Sequence, residues 1–383
     1  MPIGPLKNTI YGMALPVLGK KCEWKKAENE SLGRVLRRHH VVGACIQRFE
    51  NGKLTDCHAV GYAKLGDTKT PVTPQTIFRT ASVAKMVTAL LVFRLQTRGK
   101  ISIHQNVSEL LGMDVRNPRF QEAPITLAML LSHTSSIVDS PAYFEAFQKK
   151  TPLSELLSDP AAFLPVMPGT FFRYSNLAAG IVGCILEKQF GMSLEKLAQQ
   201  ELFAPLGVNA TFDASTLDPA LVADSFRVLP SAQAFSAEKR IKTAAPLEEP
   251  DPEMDYLLAS GNLYLTATEL AKLTLAAANG ADGFLNDVSL SQMQTPLMGW
   301  PEQEVPMRHG MGLLQIDDAR VYPQPLWGHQ GFAYGAVNGV FFDAQGNGFA
   351  SLNSGASERR TGHLALINRD LVSWAMKAKR SGR

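Results

Sequence analysis

The chain has 383 residues, of which 45% are hydrophobic and 19% charged, with a net charge of +3. This balance is typical of a globular protein and too apolar for an intrinsically disordered chain. Nucleic-acid binding needs clustered Lys and Arg, and the basic runs here, such as Arg37-Arg38 and 377–380, are short. We therefore expect no nucleic-acid partner.

The N-terminus lacks the charged segment and apolar stretch of a secretory signal, and no apolar run approaches the ~20 residues of a membrane helix. We expect no transmembrane segment. The protein is either cytoplasmic or a secreted or periplasmic mature form whose signal has been removed, and the sequence leaves this choice and the oligomeric state open. Neither C-x-x-C nor H-E-x-x-H occurs, so no metal site and no cofactor are expected.

The N-terminal part of the sequence predicts a short helix over 28–38 and a β-hairpin. Strands over 41–49 and 54–62 flank Asn51-Gly52, a strong signal for a two-residue turn. The register of that turn places Cys45 and Cys57 on opposite faces. The four cysteines, which include Cys22 and Cys184, are accordingly predicted to be free and mostly buried thiols.

The middle of the chain is predicted to be mainly helical and the last part to return to strands. Helices are expected over 83–97, 125–131, 177–189, 194–203, from about 267, and over 363–378. Strands are expected over 312–316, 335–342 and 348–352. Residues 207–256 are rich in Pro, Asp and Ala and are predicted to be irregular.

This arrangement predicts an α+β architecture, with an antiparallel sheet built from both termini and flanked by helices. We expect a single catalytic domain over 20–378. Its sheet lobe covers about 20–80 plus 257–378, and a mostly helical lobe of about 81–256 is inserted into it. A cleft between such lobes is the usual place for an active site.

The first candidate motif is Ser82-x-x-Lys85, at the predicted start of a helix. Residues i and i+3 share a helix face, so the ammonium can reach the hydroxyl. A lysine acts as a base only if burial or a nearby cation lowers its pKa. The alternative is a serine cap and a solvated lysine, and S-x-x-K occurs twice more, at Ser193 and Ser236.

Two later motifs complete a set suited to nucleophilic catalysis. Tyr174-Ser175-Asn176 is the single Y-x-N among eight tyrosines, and it offers a proton carrier and an amide. His329-Gln330-Gly331 offers a donor beside a position where backbone can approach closely. Taken alone, each motif is equally typical of a turn, a cap or a packed side chain.

The order of the three motifs resembles the penicillin-recognising serine hydrolases. With Y-S-N second and H-Q-G third, the chain is similar to the class C β-lactamase branch, which includes D-alanyl-D-alanine carboxypeptidases, D-aminopeptidases and esterases. The resemblance extends over nearly the whole sequence, in the stretches LLSHTSS, MPGTFFRYSNLAAGIVGCILEKQFG, LFAPLGV, ASGNLYLTATELAKL and HGMGLLQI.

The resemblance implies a β-lactamase/transpeptidase-like fold and a role for each motif residue. Ser82 would be the acylated nucleophile, while Lys85 and Tyr174 would remove its proton and pass it to the leaving group. Asn176 would hold Lys85 and contact the substrate. The N–H groups of Ser82 and Phe332 would form the oxyanion hole.

The resemblance also implies that His329 and Gly331 line the opposite wall of the site. Where β-lactamases of this branch carry lysine, this chain has His329. A free histidine titrates near pH 6.5, so its pull on a substrate carboxylate is expected to depend on pH. His133 is expected to pack and hydrogen-bond, and Arg173, Ser357 and Arg359 are weaker candidates for contacting a carboxylate.

These features predict a serine hydrolase that forms an acyl-enzyme on an amide, a D-amino-acid peptide or an ester. Its partner is a small-molecule or peptide substrate, with β-lactams as a further candidate. The alternatives are a true class C-type β-lactamase and a non-catalytic penicillin-binding-like scaffold. Histidine in the third motif and bulky Phe332 at the oxyanion strand argue against efficient β-lactam hydrolysis.

Overall fold

The structure is a computed structural model that describes residues 9–10, 13–14, 30–228, 231–300 and 304–376. Its strands are β1 Gly43–Glu50, β2 Lys53–Leu65, β3 Lys69–Pro71, β4 Phe78–Arg79, β5 Ala210–Thr211, β6 Ser225–Val228, β7 Ser231–Phe235, β8 Tyr264–Leu265, β9 Met307–His309, β10 Leu314–Ile316, β11 Leu326–Ala333, β12 Ala336–Phe342, β13 Gly348–Asn353, β14 Arg360–Thr361 and β15 Leu364–Ala365.

The helices alternate with these strands mainly in the middle of the chain. They are α1 Glu30–Arg38, α2 Ala84–Thr97, α3 Val107–Leu111, α4 Leu127–Leu131, α5 Pro141–Lys149, α6 Leu153–Ser158, α7 Asn176–Phe190, α8 Leu194–Ala198, α9 Ala237–Thr243, α10 Leu258–Gly261, α11 Ala267–Asn279, α12 Asp287–Gln294 and α13 Leu366–Ala375. Short 3₁₀ turns cover Ala81–Val83, Pro160–Ala162 and Ala214–Thr216, and a π-helical turn covers Gln199–Phe203.

The main sheet of the described residues is antiparallel and has eight strands. Their order across the sheet is β3-β2-β1-β13-β12-β11-β10-β9. N-terminal β1 pairs with C-terminal β13, so the sheet is built from both termini as predicted. Successive side chains of a strand point to opposite faces, and Phe341 and Phe342 accordingly enter different cores.

Each face of the sheet is covered by helices. On one face α1 and α13 pack through Leu36, Ile367 and Leu371. On the other, α11 packs against β1 and β13 and shares a hydrophobic core with α2 and α7, and most of the α2 residues are buried. This is the α+β, β-lactamase/transpeptidase-like fold that the sequence predicts. The division into a sheet lobe and a helical lobe stays a prediction.

The β1–β2 hairpin has the predicted turn but a different register. Asn51 and Gly52 both have positive φ, 50° and 74°, which a tight two-residue turn requires. Farther from the turn, a β-bulge inserts one extra β2 residue opposite Arg48, so that Gln47 faces Cys57 and Cys45 faces Ala59. The prediction that Cys45 and Cys57 lie on opposite faces is therefore wrong.

Two other segments differ from their prediction. Residues 207–256 are not simply irregular, because β6 and β7 form a hairpin there and α9 follows it. The H-Q-G motif lies within strand β11, in a segment where no strand is expected. The last helix begins at Leu366 rather than at 363, because β14 and β15 occupy the preceding residues. The predicted end of that helix, at 378, and Cys22 both lie outside the described residues.

Among the described residues, no single helix is long and apolar enough to cross a membrane. One bent pair, Asn176–Phe190 with Leu194–Phe203, passes such a test by length and composition when the two are taken together.

Candidate active site

Ser82 lies in the 3₁₀ turn that leads into α2. It is half-buried between the buried residues Ala81 and Val83, and Ala81 has φ +53°, a strained value for a residue with a side chain. The cap positions here are Thr80 and Val83, and neither makes a side-chain cap hydrogen bond. Ser82 is thus not a helix cap, and its hydroxyl is turned to other partners.

The two other S-x-x-K matches are helix caps. Ser193 Oγ accepts from the N–H of Lys196, and Ser236 Oγ accepts from the N–H of Lys239, at 3.3 and 3.2 Å. Lys196 reaches outward to Glu249 rather than to a serine. The structure therefore separates one serine–lysine contact from two ordinary N-caps.

Lys85 joins the first two motifs. Its Nζ lies 3.2 Å from Ser82 Oγ, 2.9 Å from Asn176 Oδ1 and 2.6 Å from the Ser260 carbonyl oxygen. The side chain is 4% exposed. Burial lowers the pKa of Lys85 to about 7, with the positive charge of Arg79 acting in the same direction and Asp139 opposing both. The lowered pKa leaves a substantial fraction of this amine neutral near pH 7.

Tyr174 completes the hydrogen bonding around Ser82. Its hydroxyl is hydrogen-bonded to the Ser82 side chain, and Lys85 Nζ lies 5.2 Å from the centre of its ring. Burial raises the pKa of Tyr174 well above its usual range, although the Ser82 hydrogen bond and the positive charge of Arg360 oppose that rise. The phenol therefore holds its proton at neutral pH and can hand it on.

Asp139 is a site residue that the sequence analysis missed. Its carboxylate accepts hydrogen bonds from Asn176 Nδ2 at 2.8 Å, Ser175 Oγ at 3.0 Å and the N–H of Leu177 at 2.9 Å. An anion at the first turn of α7 is favoured by the helix dipole. Asp139 fixes the Asn176 amide so that its oxygen faces Lys85.

His329 is on β11 and is 3% exposed. Its Nδ1 donates to the Gln330 carbonyl oxygen at 2.8 Å. Burial lowers the pKa of His329 to about 3, and the neighbouring Lys85 charge acts in the same direction. This differs from the expectation that the histidine titrates near neutral pH, because burial disfavours the charged imidazolium.

Two further buried histidines lie beside His329. The His309 ring centre is 6.4 Å from that of His329 and 6.0 Å from that of His133. Burial lowers the pKa values of His133 and His309 well below the usual range. His133 Nδ1 accepts from the N–H of Ser175 and its ring packs 4.3 Å from Tyr174, as expected for a packing and hydrogen-bonding residue.

Beneath Lys85, these three histidines line a small cavity of about 20 Å³ together with Thr88. The three histidine rings have lowered pKa values, so they line the cavity beside Lys85 as neutral groups. This weakly polar surrounding agrees with the lowered pKa of Lys85.

Gly331 brings β11 against the 3₁₀ turn of Ser82. A Cβ atom at this position would lie 2.5 Å from the Thr80 carbonyl oxygen and 3.1 Å from the Ser82 nitrogen, which only glycine avoids. Phe332 follows it, half-buried, with the Arg360 guanidinium 3.7 Å from its ring centre. Arg360, another residue the sequence analysis missed, supplies the cation that acts on Tyr174.

An aromatic wall adjoins the histidines. The Trp300 ring stacks on His363 at 3.6 Å and meets Phe172 edge-on at 5.0 Å, while Phe172 stacks on His309 at 4.8 Å. The side chain of Arg173 is exposed, and Ser357 is buried near the end of α1, where its N–H donates to the His39 carbonyl.

The described residues contain no group of three or more His, Cys, Asp or Glu side chains arranged to hold a metal ion. The reactive groups that the structure brings together are the Ser82 hydroxyl, the Lys85 amine and the Tyr174 phenol.

The sequence matches the Beta-lactamase family over residues 26–370. The chain therefore belongs to this family of serine hydrolases.

Individual relatives are distant but extend along most of the chain. Penicillin-binding protein 4 of Amycolatopsis lactamdurans is 28% identical over 316 residues, which cover 78% of this chain and 76% of that protein. D-amino acid amidase from Ochrobactrum anthropi SV3 superposes with a TM-score of 0.71 at 21% identity, covering 92% of this chain and 99% of the amidase.

A second solved structure with the same fold is EstCE1, described as a hydrolase with promiscuous acyltransferase activity. It superposes with a TM-score of 0.69 at 23% identity, covering 90% of this chain and 98% of EstCE1. At these identities the two structures show the fold and leave the substrate open.

Proposed function

We propose that the protein is a hydrolase that forms an acyl-enzyme on Ser82 and acts on an amide, a D-amino-acid peptide or an ester. The observation that carries this proposal is the position of Lys85, a buried amine with a lowered pKa that contacts both Ser82 Oγ and Asn176 Oδ1. A structural lysine gains nothing from such a site, since burying it costs free energy.

In the proposed reaction, neutral Lys85 accepts the Ser82 proton as Oγ attacks the substrate carbonyl carbon. Tyr174, still protonated, gives its proton to the leaving group and is reprotonated from Lys85. The Ser82 hydrogen bond and the Arg360 charge favour the phenolate that forms briefly in between, while burial and the Asp139 charge oppose it and keep it short-lived. The relay needs no charged histidine, which agrees with the neutral state of His329.

The tetrahedral intermediate would be stabilised by the N–H groups of Ser82 and Phe332. The close approach of Gly331 to the Ser82 turn supports this role, because it brings β11 alongside the nucleophile. Losing one oxyanion-hole donor costs about 3–4 kcal/mol of transition-state stabilisation.

The deciding experiment is a substrate panel of D-aminoacyl anilides, short-chain nitrophenyl esters and a chromogenic cephalosporin. We expect turnover of an anilide or ester, and a mass increase on Ser82 equal to the acyl group. Ser82→Ala should lose both, and the matched cap variant Ser236→Ala should keep both. Full hydrolysis by Ser82→Ala would overturn the proposal.

The cephalosporin in this panel, together with two active-site labelling probes, separates the remaining candidate functions. Sustained cephalosporin turnover would indicate a true β-lactamase, and a stoichiometric burst that then stalls would indicate a penicillin-binding type. No labelling of Ser82 by a fluorophosphonate or a fluorescent penicillin would indicate a non-catalytic scaffold.

A further inference from the structure

Cys45 and Cys57 form a thiol pair at a distance from Ser82. Their Sγ atoms lie 3.5 Å apart on the sheet face that α11 covers. Cys45 is on β1 and buried, whereas Cys57 is on β2 and half-buried. The third described cysteine, Cys184, is buried in α7.

The pairing depends on the β-bulge opposite Arg48. Without it, the register of the Asn51-Gly52 turn would put the two thiols on opposite faces; with it, they are diagonal neighbours on one face. The bulge is held by side chains, because Arg48 Nη1 donates to Asp56 Oδ1 at 2.9 Å and Gln47 Nε2 donates to the Asp56 carbonyl at 3.3 Å.

The two thiols are also unlike in acidity. A hydrogen bond from Cys45, with Thr268 of α11 acting in the same direction, lowers the pKa of Cys57, although burial and the Asp56 charge oppose this. The Cys57 interaction and burial raise the pKa of Cys45. The charged neighbours on β1 and β2, Arg48 and Asp56, are paired with each other, and Asp56 is also bonded to His58. Cys57 is thus the more acidic thiol of the pair and the one that more readily forms a thiolate.

We propose that Cys45 and Cys57 are a redox-sensitive pair that a peroxide converts to a reversible disulfide between β1 and β2. The Cys57 thiolate attacks one peroxide oxygen, the O–O bond breaks, and a sulfenic acid and hydroxide result. The Cys45 sulfur then attacks the Cys57 sulfur, the S–O bond breaks, and the leaving hydroxide takes up the Cys45 proton to form water. Two thiols are oxidised by two electrons, and hydrogen peroxide is reduced to two waters.

Bond formation requires only a short movement. A disulfide has an S–S length of about 2.05 Å, so the sulfurs must approach by about 1.5 Å. Cys57 is only half-buried, and accessible disulfides are reduced more readily than deeply buried structural ones. The bond is therefore suited to a reversible modification.

The disulfide would leave catalysis largely unchanged. β13 and β12 separate β1 from β11, which carries Gly331, so two strands lie between the cross-linked hairpin and the strand next to Ser82. Its expected effect is on the stability of the β1–β2 hairpin and on the reactivity of Cys57.

The test uses the full chain treated with hydrogen peroxide and analysed by intact mass and peptide mapping. We expect a loss of two hydrogens and a single linked peptide pair containing Cys45 and Cys57, both reversed by dithiothreitol. Cys45→Ser should instead accumulate a sulfenic acid on Cys57 that dimedone traps. The control variants Cys184→Ser and Cys22→Ser should still form the bond.

Two results would overturn the proposal. One is sulfinic or sulfonic acid on Cys57 in the otherwise intact chain without any linked peptide, which would show that Cys45 does not resolve the oxidised sulfur. The other is a linked peptide that joins Cys57 to Cys22. Neither result bears on Ser82, because the acylation assay on reduced protein measures that separately.

Discussion

The Asp139 carboxylate accepts a hydrogen bond from Asn176 Nδ2 at 2.8 Å while the oxygen of the same amide faces Lys85. The amide of an asparagine can point either way, and here the carboxylate decides which end meets the amine. The position of the Asn176 oxygen beside Lys85 thus depends on a residue outside the three motifs.

Asp139→Asn should weaken both the site and the fold. An amide in place of the carboxylate can no longer accept all three hydrogen bonds from Ser175, Asn176 and Leu177. We expect a loss of about 1–3 kcal/mol in the free energy of unfolding, since bonds to a charged group are involved. We also expect kcat to fall at least about tenfold, because Asn176 is free to flip.

The matched control for this prediction is Asp159→Asn. Asp159 caps the Ala161 N–H of an exposed 3₁₀ turn, and Asn is as good a cap as Asp. This variant should behave as wild type in urea unfolding and in kcat. Equal behaviour of both variants would show that Asp139 does not position Asn176.

Local signals in the sequence predicted the elements well, and long-range placement explains what was missed. The Asn51-Gly52 turn is visible in two letters, but the bulge beside it depends on how Arg48 and Asp56 pair across the strands. Asp139 belongs to no recognisable sequence motif, because its role depends on the folded chain placing the start of α7 beside it. Burial of His329 is likewise invisible in the letters H-Q-G, so its charge state was mispredicted.

Of the candidate site, the residues with a motif were found and those without one were not. The structure brings Ser82, Lys85, Tyr174 and Asn176 together as the three-motif spacing implies. Arg360 is adjacent to the weaker candidate Arg359, and consecutive residues at a strand start face opposite sides. The sequence could suggest an arginine in this loop but not which one faces the site.

The pH dependence of acylation should follow Lys85. Because its pKa is lowered from 10.5 to about 7, the amine is neutral above that pH and protonated below it. The base must be neutral to accept the Ser82 proton, so kcat/KM should rise with pH and level off above an apparent pKa of about 7. Pre-steady-state acylation rates measured between pH 5 and 9 give this rise, the acid limb of the pH profile, directly.

Lys85→Arg tests the same assignment, because a guanidinium stays protonated throughout that range. A loss of about 10²–10⁴ in kcat/KM is expected above pH 7, and the loss should shrink toward pH 5, where Lys85 is itself mostly protonated. Lys196→Arg, in a solvent-facing ion pair with Glu249, should keep both the rate and the pH limb. An unchanged limb in Lys85→Arg would assign the base to another group.

His329→Gln should leave the midpoint of that acid limb in place. His329 has a pKa of about 3 and is already neutral across pH 5–8, so removing it removes no titration in this range. His329→Lys should differ, since a second buried cation near Lys85 disfavours its protonated form and moves the limb to lower pH. A limb that disappears in His329→Gln would show that the histidine is charged after all.

Gly331→Ala should damage catalysis through contact with the Ser82 turn. The added methyl would lie 2.5 Å from the Thr80 carbonyl oxygen, so β11 and the turn must separate. We expect kcat to fall about 10²–10³-fold, the size of losing one oxyanion-hole donor.

The matched control is Gly66→Ala, where the nearest atom, the Thr68 carbonyl oxygen, is 3.8 Å from the new Cβ. Steady-state kinetics with thermal unfolding of both variants separates lost catalysis from lost folding. A Gly331→Ala protein that is folded and retains wild-type kcat would show that the oxyanion hole lies elsewhere.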